Sequence, residues 1–389
     1  MATTLVVNPG STSRKYALYK EGVLVRVLFF EETGQGFAVS DIENGTKLNE
    51  TEITATDFSN AVSYTLTYLM QKEVINVRSE IDVVGVRVVA PGTHFTTHQL
   101  IDEAYIKSLE ERAGTAPLHI PGLISELRAV MEELSHAKIV GVSDSAFHAT
   151  IPAHVSTVSI AKADAATYDI QRFGYHGLSF SSISRRLADT FGEVPKRTIV
   201  CHVGGGVSIT ALKDGVSVNT SMGYTPASGL IMSSRGGDVT AGVLATLIQK
   251  KKLHGEMLYE YLYKQSGFQG VAGVRDLRLV LERAAQEDLD AKLALDMFVH
   301  QVHSWIGAHV AQLGGLDAVV LTATAAERNP QVRSLLLKGL ETFGVMVDDE
   351  RNECLIGQEG EIGTKDSPVR VVVLKTDEMG EVVRAAEAL

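Results

Sequence analysis

Short runs of apolar residues, rich in valine and isoleucine, recur along this chain and are bounded by glycine or polar residues. Their length and β-branched content predict buried strands at residues 5–7, 83–86, 139–142, 198–200, 318–321 and 371–374. Between these runs, apolar residues recur at helical spacing, which predicts helices around residues 58–69, 123–134 and 295–310. Strands that alternate with helices in this way are typical of an α/β fold.

Two segments of the chain repeat one plan: a strand, a turn of small residues, a second strand and a turn with glycine. The first runs from Leu5 to Val23 and the second from Ile199 to Val216. Glycine lets the backbone approach a phosphate closely, and successive N–H groups in such a turn bind anions. An ordinary glycine-rich hairpin explains either turn alone. Because the plan occurs once in each half, we favour a pair of duplicated phosphate-binding domains.

The charge balance and the length of the apolar runs argue against some classes of function. The 389 residues carry 47 acidic and 36 basic side chains, a net charge of −11, without a basic block that would follow a nucleic-acid backbone. No apolar run approaches the ~18–20 residues of a membrane span. The sequence has two cysteines, Cys201 and Cys354, and starts without a secretory signal pattern. We therefore expect a cytoplasmic protein with no nucleic-acid or membrane partner.

Seven blocks of sequence carry a resemblance to one enzyme family. They are NPGSTSRK (8–15), VRVV (86–89), APLH (116–119), DSAFH (144–148), RFGYHGLS (172–179), TSMGYTP (220–226) and SRGGD (234–238). With these blocks the chain resembles acetate kinase and related short-chain carboxylate kinases, whose fold is shared by sugar kinases, actin and the Hsp70 ATPase. The resemblance runs nearly end to end. It implies an α/β protein with two duplicated actin-like, or ribonuclease H-like, domains and a central cleft.

The resemblance also implies what each part of the chain does. We expect an N-terminal domain, residues 1–149, that binds the carboxylate and phosphate, with a C-terminal helix near 376–389 packed back on it. Residues 150–375 are expected to bind the nucleotide and to form a homodimer. The expected reaction is reversible phosphoryl transfer from ATP to acetate, or a similar short-chain carboxylate, giving acetyl phosphate and ADP. The expected metal cofactor is Mg²⁺ or Mn²⁺.

Phosphoryl transfer needs positive charge and in-line positioning, and arginine suits both a carboxylate and a phosphoryl group. By the resemblance, Arg87 and Arg235 face each other across the cleft and hold the carboxylate and the transferring phosphoryl. For either arginine alone, a solvated surface position is the alternative. Asp144 ends a predicted strand and is expected to orient the substrate or metal. His176, between Gly174 and Gly177, is expected to donate to the phosphoryl group.

The resemblance assigns further residues to phosphate, metal and acyl binding. The first phosphate turn has Asn8, Ser11, Ser13 and Lys15, and the second has His202, Gly204, Gly205 and Gly206. Glu378, with Asn8, is the expected metal ligand; its alternative role is that of an acid favoured at a helix start. The expected acyl pocket consists of Val89, Leu118, Tyr175 and Pro226. The family usually has phenylalanine where Tyr175 stands, so its hydroxyl either finds a partner in the pocket wall or narrows the pocket.

The sequence departs from the family at the adenosine-binding turn. Where the family has Gly-Gly-Ile-Gly-Glu-Asn, this chain has Ala323-Thr324-Ala325-Ala326-Glu327-Arg328. Ala325, Ala326 and Glu327 are the expected nucleotide contacts, but the lost glycines add side chains or strain at this turn. This leaves open a non-ATP donor such as pyrophosphate or polyphosphate. For the acid, propionate or butyrate is a separate alternative. A non-catalytic nucleotide-binding scaffold is the third alternative, and the retained Asn8, Arg87, Asp144, His176, Arg235 and Glu378 argue against it.

Overall fold

A computed structural model describes residues 2–10, 13–34, 36–117 and 120–389. They form two compact units: the first comprises the described residues up to Ala146 together with Glu378–Leu389, and the second comprises Phe147–Asp377. The sequence analysis expects the division between residues 149 and 150; in the structure it falls between residues 146 and 147. Within the described residues, no helix has both the length and the apolar character needed to cross a membrane.

Each unit contains one large β-sheet. The first sheet has the order β5-β4-β3-β2-β1-β6-β8-β7, with strands β1 (Thr3–Pro9), β2 (Ser13–Lys20), β3 (Val23–Thr33), β4 (Gly36–Glu43), β5 (Thr46–Ile53), β6 (Val83–Val88), β7 (Gln99–Leu100) and β8 (Lys138–Ser143). The second sheet has the order β11-β10-β9-β12-β14-β13, with strands β9 (Arg197–Val203), β10 (Val207–Lys213), β11 (Val216–Thr220), β12 (Ala318–Thr322), β13 (Gly360–Glu361) and β14 (Arg370–Val373).

Helices connect the strands in both units, as the alternating pattern predicts. They are α1 (Ala55–Ser59), α2 (Ala61–Gln71), α3 (Glu103–Arg112), α4 (Ile120–Glu133), α5 (Ala153–Ser156), α6 (Lys162–Thr167), α7 (Gly177–Phe191), α8 (Ala241–Lys251), α9 (Glu256–Lys264), α10 (Gly267–Ala272), α11 (Leu277–Ala285), α12 (Leu289–Leu313), α13 (Thr324–Arg328), α14 (Pro330–Leu337), α15 (Asp349–Cys354) and α16 (Glu378–Ala388). The predicted α/β class is confirmed.

The two sheets repeat the same strand arrangement. In the first, β1 pairs antiparallel with β2 and parallel with β6, and β6 pairs parallel with β8. In the second, β9 pairs antiparallel with β10 and parallel with β12, and β12 pairs parallel with β14. A two-residue antiparallel strand, β7 or β13, follows at the edge of each. The repeat inferred from two hairpins therefore extends over six strands: the whole second sheet and all of the first sheet except β4 and β5.

The central strands are buried because helices cover them. In the first unit, α16 packs on β1, β6 and β8. Gly85 on β6 permits this contact, because a Cβ there would lie 2.6 Å from Cγ1 of Val382. In the second unit, Phe180, Ile183 and Leu187 of α7 pack with residues of β9, β10, β12 and β14. The carboxyl ends of the parallel strands remain available for polar side chains, as is general for α/β proteins.

Candidate active site

The structure divides the predicted site residues between the two units. The first unit contains Asn8, Ser13, Lys15, Arg87, Val89, Asp144 and Glu378. The second contains Tyr175, His176, His202, Gly204, Gly205, Gly206, Pro226, Arg235, Ala325, Ala326 and Glu327. Ser11 and Leu118 lie outside the described residues. Each unit therefore carries its own group of candidate residues.

Three neighbouring parallel strands bring the polar residues of the first unit together. Asn8 lies near the end of β1, Arg87 near the end of β6, and Asp144 directly follows β8. The register pairs Val7 with Val86 on β1 and β6. Because these strands run in parallel, their carboxyl ends meet at one edge of the sheet. Side chains distant in sequence therefore converge on Arg87.

Arg87 makes a two-pronged ion pair with Asp144. Its Nε donates to Oδ1 of Asp144 at 3.2 Å and its Nη2 donates to Oδ2 at 3.1 Å. Nη1 lies 3.5 Å from Oδ1 of Asn8 and 3.5 Å from Oε2 of Glu378. Burial disfavours the charged guanidinium, but Asp144 and Glu378 outweigh it and raise the pKa of Arg87. This group therefore remains a permanent positive charge.

Backbone hydrogen bonds hold Asp144 and the preceding residue in place. Asp144 is 1% exposed, and its backbone N–H donates to the carbonyl of Val88 at 2.9 Å. The preceding residue, Ser143, donates its N–H to Nδ1 of His98 at 3.1 Å, so that nitrogen must be unprotonated. Burial lowers the pKa of His98, which favours this neutral form, although Glu381 acts in the opposite direction. The sequence analysis missed His98 because no spacing rule links it to Ser143.

Two side-chain oxygens near Arg87 are of the chemical kind that Mg²⁺ prefers as ligands. Asn8 and Glu378 each place a side-chain oxygen 3.5 Å from the same guanidinium nitrogen. Mg²⁺ prefers such hard oxygen ligands and takes its remaining ligands from water and substrate phosphates. No group of three or more His, Cys, Asp or Glu suited to a metal is found in the described part of the chain. Glu378 is also the first residue of α16, where an acid is favoured by the helix dipole.

The described residues of the first phosphate turn are closely packed. A Cβ on Gly10 would lie 2.4 Å from the carbonyl oxygen of Ser13, so a side chain at position 10 would displace the backbone. Lys15 pairs with Asn8 across the hairpin, and its ammonium lies 5.3 Å from the ring centre of Phe29. The hairpin thus places a cation on the strand next to Asn8.

In the second unit, two histidine rings stack at the end of β9 and the start of α7. The rings of His176 and His202 are 4.0 Å apart between centroids, with 22° between their planes. Nδ1 of His176 is 2.8 Å from Oγ of Ser208, and Nδ1 of His202 is 2.9 Å from Oγ of Ser179. Because each Nδ1 faces a hydroxyl, both rings are held in fixed orientations. Ser179, which the sequence analysis missed, lies three residues beyond His176 on the first turn of α7.

The glycine turn at 204–206 lies against these groups. A Cβ on Gly206 would lie 3.0 Å from Cε1 and Nε2 of His176 and 3.7 Å from Nη1 of Arg235. A Cβ on Gly204 would lie 3.7 Å from the Cβ of Ala323. A Cβ on Gly205 would have only the Ser233 hydroxyl nearby, at 3.9 Å. The turn therefore lies close to His176, to Arg235 and to Ala323 at the start of the adenosine turn.

Both predicted acyl-pocket residues of the second unit take part in hydrogen bonds to a backbone carbonyl. The hydroxyl of Tyr175 donates to the carbonyl of Tyr224 at 2.8 Å, and Tyr175 is fully buried. The predicted alternative in which the hydroxyl finds a protein partner is the one observed. Nη1 of Arg235 donates to the carbonyl of Pro226 at 3.1 Å, which joins these two predicted residues. Val89, in the first unit, is half-buried directly after β6.

The adenosine turn has a conformation that suits glycine. Ala323 follows β12 with φ +71° and ψ 165°, and α13 begins at the next residue. Oε1 of Glu327 accepts from the N–H of Ala323 at 2.9 Å and from the N–H of Thr376 at 3.1 Å. Ala326 is fully buried and Ala325 half-buried. The carboxylate of Glu327 is thus hydrogen-bonded to the backbone of its own unit.

A buried arginine stabilises α13 by hydrogen bonds. Arg333 is fully buried, and it donates to the carbonyl of Ala326 at 2.7 Å, to Oδ1 of Asn352 at 2.6 Å and to the carbonyl of Leu355 at 2.7 Å. Burial lowers its pKa to about 10. These bonds satisfy carbonyls at the ends of two short helices, where no intrahelical donor is available.

Comparison with known proteins identifies the family. The model of the acetokinase family matches residues 3–384. The acetate kinase of Oceanobacillus iheyensis is 35% identical over 384 residues, covering 97% of this chain and 96% of the relative. The crystal structure of Porphyromonas gingivalis acetate kinase has a TM-score of 0.87 at 31% identity, covering 100% and 99% of the two chains. That of a propionate kinase from Francisella tularensis has a TM-score of 0.91 at 28% identity, covering 100% of both chains. This chain therefore belongs to the acetokinase family and has its two-domain, actin-like fold.

Proposed function

We propose that the protein is a carboxylate kinase that transfers a phosphoryl group reversibly between ATP and acetate. The observation that carries this proposal is the family match over residues 3–384, a span that includes each group assigned a role in the reaction. The charges around Arg87 and the His176–Gly206–Arg235 cluster add support, because they supply the donors that phosphoryl transfer needs.

In the proposed reaction, a carboxylate oxygen attacks the γ-phosphorus of ATP and the electron pair of the broken P–O bond leaves with ADP. The carboxylate is ionised at neutral pH, so its attack requires no general base. Charge on the acid and on the phosphoryl oxygens must instead be neutralised. Arg87 supplies a fixed positive charge for this, because Asp144 holds its fork in place through two hydrogen bonds.

Arg235 and His176 act on the phosphoryl group in this proposal. Nδ1 of His176 lies 2.8 Å from Oγ of Ser208. In the proposed tautomer this nitrogen accepts from the hydroxyl, and the proton on Nε2, the nitrogen near Gly206, is donated to a phosphoryl oxygen. The neighbouring Arg235 adds a second donor and a full charge. Asn8 and Glu378 would hold Mg²⁺, which when bound neutralises negative charge on the phosphate oxygens. Asn8, Ser11, Ser13 and Lys15 on one turn, and His202, Gly204 and Gly205 on the other, contact the remaining phosphates.

In this proposal, Arg87 of the first unit binds the carboxylate of the acid, and the second unit binds the nucleotide at Ala325 and Ala326. Val89, Leu118, Tyr175 and Pro226 are the residues proposed to contact the alkyl group, and Tyr175 and Pro226 belong to the second unit. Acetate is the proposed acid, and the similarity to a propionate kinase makes propionate the second candidate. ATP is the proposed donor. The strained Ala323 keeps pyrophosphate as the second candidate, because pyrophosphate needs no adenosine turn.

We further propose that the protein is a cytoplasmic homodimer that associates through its second unit. Helix α8 supports this, since it has no buried residue and exposes Val243 by 49% and Ile248 by 43%. Exposed apolar side chains on one helix favour its burial against a second protein surface. Light scattering should give a mass twice the 41.9 kDa of one chain. A mass of one chain at micromolar concentration would contradict the dimer.

The function is tested by trapping acyl phosphate with hydroxylamine. The purified protein is given acetate, propionate or butyrate, each with ATP, GTP or pyrophosphate, and Mg²⁺. We expect acyl hydroxamate from acetate with ATP. Arg87→Ala and Arg235→Ala should each lower kcat by ~10³ or more, as loss of an arginine acting on phosphoryl transfer does elsewhere. Lysine at either position should restore little, because it lacks the planar fork.

Arg278→Ala provides the matched control, since Arg278 is a 77% exposed arginine of α11. Its kcat should equal that of the wild type. Near-normal kcat in both Arg87→Ala and Arg235→Ala would contradict the proposed site. Product with pyrophosphate but none with ATP would replace the donor and leave the acid chemistry intact.

A further inference from the structure

Three consecutive backbone N–H groups at the end of the second unit are each held by a side chain. Lys375 donates to Oε1 of Glu359 at 2.8 Å, Thr376 to Oε1 of Glu327 at 3.1 Å, and Asp377 to Oγ of Ser182 at 3.2 Å. We call residues 375–377 the connecting segment, because Glu378, the next residue, begins α16. The segment is thus fixed by three separate parts of the second unit.

Glu327 differs from the other two anchors because the same oxygen also holds the adenosine turn. Oε1 accepts from the N–H of Ala323 at 2.9 Å and lies 3.5 Å from Oγ1 of Thr322. Glu359 instead forms a two-pronged pair with Arg186, at 2.9 and 2.7 Å. Ser182 lies on α7 and donates to the carbonyl of Ser179 at 2.8 Å. Among the three anchors, Glu327 is therefore the one bonded to both the turn and the connecting segment.

The contacts of Glu327 have direct consequences for two parts of the site. Hydrogen bonds from N–H groups to a carboxylate are stronger than those to a neutral acceptor, so removal of the carboxylate frees two backbone donors at once. One donor belongs to Ala323, whose φ of +71° must be imposed by its surroundings. The other is two residues from Glu378, the proposed magnesium ligand. Loss of Glu327 should therefore disturb both the nucleotide turn and the start of α16.

We propose that Glu327 is a positioning residue that fixes the adenosine turn and the connecting segment together, rather than a ligand of the nucleotide. Its carboxylate fixes the backbone geometry of Ala323 in the nucleotide turn. It also fixes the position of Thr376, two residues before Glu378. This inference rests on the proposed function for its kinetic part. Its structural part, the joint fixation of residues 323 and 376, stands without it.

The test combines hydrogen exchange with kinetics in Glu327→Ala, Glu327→Gln and Ser182→Ala. Exchange is measured on unliganded protein in peptides that span residues 321–327 and 374–378. In Glu327→Ala we expect faster exchange in both peptides, with KM for ATP raised ~10-fold and kcat lowered ~10-fold, since misplacement of a catalytic group by a fraction of an ångström has effects of this order. Glu327→Gln keeps an accepting oxygen and should recover part of both effects.

Ser182→Ala is the matched control because it removes an anchor of the connecting segment that does not bond the turn. We expect faster exchange in peptide 374–378 alone, a lower kcat and an unchanged KM for ATP. A raised KM in Glu327→Ala with exchange unchanged in both peptides would make Glu327 a direct nucleotide ligand and overturn the proposal. Faster exchange at 321–327 alone, with kcat unchanged, would also overturn it.

The design separates this inference from the proposed function. If the wild type makes no acyl phosphate, the proposed function fails, while the exchange data still decide whether Glu327 fixes both segments. If Glu327→Ala does not fold, the milder Glu327→Gln, which keeps the size of the side chain, gives the same comparison. Equal exchange in wild type and Glu327→Gln at both peptides, with unchanged KM and kcat, would then count against the proposal.

Discussion

Ala323 shows how one residue can keep a backbone conformation that its type disfavours. Its φ of +71° and ψ of 165° lie in a region that is nearly exclusive to glycine, at a cost of about 1–3 kcal/mol. The bond from its N–H to Glu327 at 2.9 Å and its burial, with 5% exposed, hold it there. The turn retains the shape that glycine would give it, and the strain is the consequence of the substituted sequence.

Ala323→Gly should stabilise the protein. Relief of the strain should exceed the extra entropy that glycine gains in the unfolded chain, for a net gain of about 1 kcal/mol in the free energy of unfolding. If crowding by the Cβ also weakens nucleoside binding, KM for ATP should fall while kcat stays unchanged. Urea denaturation and steady-state kinetics measure the two effects.

Ala325→Gly is the control for this prediction, since Ala325 lies two residues further on, within α13. Glycine inside a helix costs about 1 kcal/mol relative to alanine, so this variant should lose stability. Equal losses in both variants would show that Ala323 is not strained.

For individual residues, the sequence predicted those features that depend on residues nearby in the chain. The loss of glycine at position 323 was visible in the motif, and the strain followed from backbone sterics. The partner of the Tyr175 hydroxyl was left open, because Tyr224 is 49 residues away along the chain. The bonds of His98 to Ser143 and of His202 to Ser179 depend in the same way on tertiary packing. Roles of the individual site residues stay predictions.

For the secondary-structure elements, periodicity predicted long strands and helices but not their interruptions. The six apolar runs fall on β1, β6, β8, β9, β12 and β14, and the three periodic segments fall on helices. The first of these segments is split at Asn60, which ends α1 and precedes α2. A capping box of Thr54 and Asp57 begins α1. The two-residue strands β7 and β13 are too short to show any period.

The packing of α12 on β10 makes stability depend on pH. His309 of α12 is fully buried, and its Nε2 is 3.2 Å from the carbonyl of Ile209 on β10. Burial lowers the pKa of His309 to about 4, and the nearby Arg172 acts in the same direction. The unfolded chain, with a pKa near 6.5, therefore binds a proton before the folded protein does. The contribution of neutral His309 to the free energy of unfolding is complete above pH ~6.5 and is lost as the pH falls toward ~4.

We predict that His309→Gln loses less stability than the wild type between pH 7 and pH 4. The difference should approach about 3 kcal/mol, because lowering a pKa by one corresponds to about 1.4 kcal/mol. Urea denaturation at several pH values measures it. His300→Gln is the control, since His300 is exposed on the same helix and should show the wild-type pH dependence. Parallel curves for His309→Gln and the wild type would contradict a neutral, buried His309.

Across the whole molecule, the chain passes between the units twice, at residues 146–147 and 377–378. The second passage returns α16 to the first unit, where it packs on β1, β6 and β8. Thr4 of β1 donates to Oε1 of Glu387 at 2.6 Å near the end of this helix. Because Glu378 is the first residue of α16, the seating of this helix on the sheet determines where its carboxylate lies relative to Arg87.

Gly85→Ala should therefore affect both stability and activity. The added Cβ would lie 2.6 Å from Cγ1 of Val382, 3.1 Å from the Cβ of Ala386 and 3.3 Å from the carbonyl oxygen of Val382. A rotamer change of Val382 relieves the first contact but not the contact with the backbone, so α16 must move outward. We expect a loss of about 1–3 kcal/mol in the free energy of unfolding, as for overpacked cores, and a lower kcat from the displaced Glu378.

Val382→Ala removes the nearest atom, so Gly85→Ala combined with Val382→Ala should be less destabilised than the sum of the single variants. A double-mutant cycle from urea denaturation measures this coupling. Gly122→Ala is the control of opposite sign: its Cβ would meet nothing within 4 Å on the exposed side of α4, so it should gain up to about 1 kcal/mol. Additive effects of Gly85→Ala and Val382→Ala, with kcat unchanged in Gly85→Ala, would mean that the seating of α16 on β6 does not place Glu378.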